Sequence, residues 1–195
     1  MRSNLRVFVG GVKTNEFTTY MDYQRAYGTW LTDYTSLGYG DRHGASGYLG
    51  VLGGTFAATR SLVVGQDGTG IVELGPTGTL HAATLVLANN AYTAAGVPAA
   101  TLKFTFGADG VGTVTATNLA IAAGSRLTVD VRCFDFSSSL RRHPILRAAE
   151  MEGAFDAANV SILADTPTHR AQTRVERVAG GLDVVFSKGN AILIR

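Results

Sequence analysis

The sequence predicts an all-β chain wound as a stacked solenoid, and three observations carry that expectation. First, the chain nearly repeats itself. Leu37-Gly-Tyr-Gly40, a polar loop, Gly47-Tyr-Leu-Gly-Val51 and Gly53-Gly-Thr-Phe56 return as Leu62-Val-Val-Gly65, a polar loop, Gly70-Ile-Val-Glu-Leu74 and Gly78-Thr-Leu80. Leu37 to Leu62 is 25 residues, Gly47 to Gly70 is 23, Phe56 to Leu80 is 24, and the pattern reopens at Leu85-Val-Leu87. Short β-type runs between glycine turns, recurring in the low twenties, are the mark of stacked repeats. Second, residues 44–124 hold only five charges among 81 positions, against fourteen among 59 from Ser137 to Arg195. A neutral segment rich in Gly, Ala and Thr suits a β-stack better than helices or disorder. Third, runs such as Ile71-Val-Glu-Leu74 and Leu102-Lys-Phe-Thr-Phe106 alternate, placing successive side chains on opposite faces.

The elements follow in order. Residues 1–35 are expected to form an N-terminal cap or a degenerate coil. Leu5–Val9 is a strand candidate, and Tyr20, Tyr23, Tyr27, Trp30 or Leu31, and Tyr34 recur at spacings of three and four. That period suits a short capping helix over 17–35, although Tyr, Thr and Trp also favour strands. Residues 36–136 are the repeat proper. At roughly 3.3 Å per extended residue, each unit closes about three short strands, and units stack in parallel at about 4.8 Å. Residues 91–101 interrupt the period as a protruding loop; Gly112–Ala116, Leu119–Ile121 and Arg126–Val131 resume it. Residues 137–195 read as more charged closing coils, with strands at Val160–Leu163, Thr173–Val178, Leu182–Phe186 and Ala191–Arg195. Gly180-Gly181 and Lys188-Gly-Asn190 are turns.

Composition narrows the function. At 195 residues, 46% of them hydrophobic, the chain can bury a core as one domain, with or without a distinct cap. A net charge of +2 is too mild for a nucleic-acid partner. No run of 18 apolar residues exists, so no direct membrane span is expected. Cys133 is alone, cannot form an internal disulfide, and reads as a small buried apolar residue. The start lacks the long apolar core of a signal peptide and enters the repeat almost at once. The expectation is a piece of a longer exported protein.

Leu62-Val-Val-Gly-Gln-Asp-Gly-Thr-Gly-Ile-Val-Glu-Leu74 resembles the bacterial repeat shared by autotransporter passengers and PEP-CTERM-associated surface proteins. Gly47–Phe56 fits the same pattern, and Leu119–Val131 with Pro144–Phe155 is similar to the region that closes such arrays. The resemblance covers about residues 36–195. It implies a right-handed parallel β-solenoid (a β-helix), exported, and used as the stalk or exposed part of a cell-surface protein. It carries no catalytic residues, so the chain is expected to be a non-enzymatic structural or adhesive module. A surface glycan or a neighbouring surface protein would be its partner, and an open solenoid end could template end-to-end self-association.

Candidate site residues are few. Tyr39, Asp41, His43 and Tyr48 surround the first polar loop, and aromatic rings beside hydrogen-bonding groups suit glycan contact. Glycan cleavage would need two carboxyls at fixed separation, for which Asp41 and Asp67 are the candidates. Asp67 and Asp109 lie in Gly/Asp turns, but one Asp per turn is too few for calcium, and His43, His81, His143 and His169 lack zinc-ligand spacing. No cofactor is expected. Arg141-Arg142-His143 reads as a basic turn, either solvated or in contact with an anionic polysaccharide or lipid headgroup.

Overall fold

Alternation decides the core. Along one strand of 19 residues, Val72, Leu74, Leu80, Leu85 and Leu87 are buried while Ile71, Pro76 and His81 are exposed. The computed structural model describes residues 7–9, 29–38, 46–66, 68–88, 98–137 and 141–187. Its strands are β1 (Val7–Val9), β2 (Thr29–Leu37), β3 (Ser46–Val64), β4 (Thr69–Leu87), β5 (Ala100–Thr105), β6 (Thr113–Ile121), β7 (Ser125–Asp130), β8 (Arg142–Gly153), β9 (Val160–Leu163), β10 (Thr173–Val178) and β11 (Gly181–Phe186). One short helix, α1 (Pro167–Gln172), precedes β10 and is capped by the Thr166 side chain.

The long strands β3 and β4 lie parallel, with Gly47 opposite Gly70 and Phe56 opposite Leu80. Leu37, by contrast, sits opposite Val64, and Leu62 pairs with Thr35. Irregularities between Thr32 and Tyr34 and between Ala58 and Ser61 shift the register. From β4 the sheet forks: Val72 continues through Leu102 to Leu127 across β5 and β7, and Leu80 through Val114 to Leu146 across β6 and β8. Each of these side chains is at most 1% exposed, so like lies over like in continuous apolar columns.

The expected right-handed parallel β-solenoid is corrected by the strand directions. The described residues form one eleven-stranded sheet of mixed orientation, nearly barrel-shaped, with about two-thirds of those residues in strands. Pairings are parallel as far as β9, but β11 runs antiparallel to β8 and β10 antiparallel to β11. The cause is local. Val178 pairs with Gly181, leaving a two-residue turn with Gly180 at φ +65°, and strands joined so closely can only be antiparallel. Side chains then hold β11 against β8, where His143 meets Phe186 edge-on at 5.6 Å, and against the segments beside it. Phe186 stacks on Phe134 at 4.0 Å and meets Phe106 edge-on at 5.5 Å. The all-β part of the expectation agrees with the structure.

Of the two alternatives for residues 17–35, the capping helix is corrected over the described part, because Thr29–Leu37 is a strand paired with β1 and β3. Tyr20, Tyr23 and Tyr27 lie outside the described residues. Cys133 is exposed, not buried, because it sits in the turn that leads out of β7.

Candidate functional site

Tyr48 is the one residue of the expected glycan site that falls among the described residues; Tyr39, Asp41, His43 and Asp67 lie outside them. Its ring lies across Gly50, where a Cβ would come within 3.0 Å of the ring edge. The absence of a side chain there lets the phenol reach diagonally to the next strand. Tyr48 Oη donates to Glu73 Oε2 at 2.8 Å, and Thr105 Oγ1 donates to Glu73 Oε1 at 2.8 Å. Lys103 Nζ stands 2.9 Å from Glu73 Oε1. Parallel register explains the meeting: Gly50, Glu73, Lys103 and Thr128 are successive partners on β3, β4, β5 and β7.

Burial alone would raise the Glu73 carboxyl. Hydrogen bonds from Lys103, Thr105 and Tyr48, together with the Lys103 charge, more than offset that and hold it below its ordinary value. Glu73 is therefore an ionised acceptor at neutral pH. A general acid for glycoside cleavage needs the opposite shift and a second carboxyl across the bond. Every described carboxyl that departs from its ordinary value departs downward, namely Glu73, Asp130, Asp135, Asp165, Glu176 and Asp183. The arrangement suits binding of hydroxyl groups and does not supply an acid.

Sequence reasoning missed Glu73, Lys103 and Thr105 as a group. A signal did exist, since Glu73 and Lys103 are two of the five charges in the neutral segment. Their partnership was hidden by the 29 residues that lie between them in the sequence, among them residues 91–101, where the repeat pattern breaks.

The basic turn has a different fate. Arg142 donates to Asp183 Oδ2 at 2.8 Å and to Glu176 Oε2 at 2.6 Å, while Arg147 donates to Asp183 Oδ1 at 2.5 Å. Arg141 donates to the Phe136 carbonyl at 2.9 Å, and His143 is buried among Phe106, Phe134 and Phe186. Arg142 and Arg147 fasten the hairpin. Asp109 is an exposed turn residue, and no group of three or more His, Cys, Asp or Glu able to hold a metal gathers among the described residues. No described helix is long and apolar enough to cross a membrane.

Asp183 gives the first prediction. Its side chain is 5% exposed, and burial would raise its pKa, but the Arg142 and Arg147 hydrogen bonds and charges prevail and lower it. A carboxyl lowered on folding stabilises the fold above its unfolded pKa and loses that contribution as pH falls through the folded value. The thermal midpoint should stay level from neutrality to about pH 5 and fall steadily below about pH 4. Asp183→Asn should melt lower at pH 7, by about 1–3 kcal/mol after discounting the half-exposed arginines, and converge on the parent in acid. Parallel pH curves for the two proteins would exclude this role.

No family model, curated protein or solved structure matches the chain.

Proposed function

We propose that this chain is a non-catalytic structural or adhesive module of an exported bacterial surface protein. The observation that carries the reading is the use made of its polar groups. The buried carboxylate Asp183 and the half-buried Glu73 are tied to arginines or lysine on neighbouring strands, and the buried Asp130 to Arg132 in the turn that follows it, over apolar columns that run from strand to strand. Groups spent in this way stiffen a scaffold and are not themselves free to act as an acid–base pair. The resemblance of Leu62–Leu74 and Gly47–Phe56 to surface-protein repeats supports the location.

A second reading, glycan binding, rests on the Tyr48–Glu73–Lys103 cluster, which offers an ionised acceptor, an ammonium and an aromatic ring on one face. A glycan array run beside matched hydrolysis assays separates the two. The expected result is no release of reducing ends from any polysaccharide, whether or not a glycan is retained. Hydrolysis lost in Glu73→Gln would overturn the non-catalytic reading. Retention lost in Tyr48→Phe and Glu73→Gln would favour glycan binding. Antibody labelling of intact cells that carry the protein tests the location, since staining seen only after permeabilisation contradicts it.

A further inference from the structure

The sheet stops short of closure between β9 and β10. Among the described residues β9 pairs with β7 alone and β10 with β11 alone. A cleft of about 430 Å³ opens between these edges, within the range of roughly 300–1,000 Å³ typical of small-molecule sites. Leu127, Met151, Phe155, Ile162 and Val175 make its walls apolar. Its charges are of one sign: Arg174 and Arg177 line it, and no carboxylate does.

The two arginines differ. Arg174 Nε donates to Glu176 Oε1 at 2.6 Å, so its charge is already answered. Arg177 is exposed, and no carboxylate among the described residues pairs with it. An apolar cleft with an unanswered guanidinium beside it is complementary to a molecule that is apolar along its length and anionic at one end.

We propose that this cleft binds a single-chain fatty carboxylate, its acyl chain lying between β9 and β10 and its head group on Arg177. The site is separate from the Tyr48–Glu73 face and does not depend on the surface-module reading. Each methylene buried is worth about fourfold in affinity, so chain length should matter as strongly as charge.

The test is calorimetric titration of the full chain with laurate below its micellar concentration. One saturable site is expected, with decanoate weaker by roughly 10- to 20-fold for its two missing methylenes. Dodecyltrimethylammonium, of equal chain length and opposite charge, should bind at least about tenfold more weakly than laurate. Arg177→Gln should weaken laurate about tenfold and leave dodecanol unchanged. Ala157 is an exposed residue of the cleft lining, so Ala157→Trp should block the site without disturbing the melt. Absence of saturable binding by a protein that melts normally would overturn the proposal. Equal laurate affinity in Arg177→Gln and the parent would do the same. A concentration-dependent dimer dispersed by Ala157→Trp would also overturn it, by making a second copy the occupant.

Discussion

Val72→Asp is expected to abolish the cooperative thermal transition, while Ile71→Asp, one residue away, leaves it nearly in place. Val72 is fully buried between Leu49 on β3 and Leu102 on β5, whereas Ile71 is 38% exposed on the opposite face. A carboxylate at position 72 would have no cation to meet, and an uncompensated buried charge costs about 4 kcal/mol or more, a large share of a domain's total stability. At position 71 the same carboxylate stays in water and should cost about 1 kcal/mol or less. Val64, also fully buried, should behave like Val72 when changed to Asp. Circular-dichroism melts decide the matter: equal behaviour at 71 and 72 would mean that the assigned faces are wrong.

The second large effect is expected at a corner. Gly65 follows the buried Val64 with φ at +70°, and a Cβ there would lie 2.1 Å from the Ala99 carbonyl oxygen. Gly65→Ala therefore combines left-handed backbone strain with a collision against main chain that is itself held in place, since Gly70 N–H donates to the same oxygen at 2.8 Å. The sum should be about 3 kcal/mol or more. Ala88 provides the control. It follows the buried Leu87 with φ at +62°, and as an L-residue already carries the backbone strain. Ala88→Gly should be close to neutral, because relief of about 1–2 kcal/mol is offset by about 0.4–1 kcal/mol of added unfolded-state entropy and by the loss of a buried methyl. Denaturant midpoints measure both, and a Gly65→Ala protein as stable as the parent would contradict the close approach.

The failure of the solenoid expectation has a definite place in the chain. Val178-Ala-Gly-Gly-Leu182 was legible as a turn, and a turn this short joins antiparallel neighbours. The period of residues 37–87 does not extend across it, and alternation looks the same in a parallel and an antiparallel strand. The register errors have a related cause. Gly47–Gly70 and Phe56–Leu80 fall within regular pairing, but Leu37 lies beyond an irregularity that no local pattern marks. Tyr48 was recognisable as an aromatic beside a polar loop, whereas its partner Glu73 read only as a strand residue.

By itself the sequence determined that this protein is built of strands, that side chains alternate between two faces along stretches such as β5 and the start of β4, and that the chain turns at Gly180-Gly181. Those properties follow from the two-residue period of extended backbone and from the conformations open to glycine. Only the tertiary structure decided the antiparallel pairing of β11 with β8, the joining of Glu73 to Lys103 and of Asp183 to Arg142 and Arg147, and the gap left between β9 and β10. Each depends on pairing between segments distant in the chain, and a strand's own pattern of apolar and polar residues does not name its neighbour.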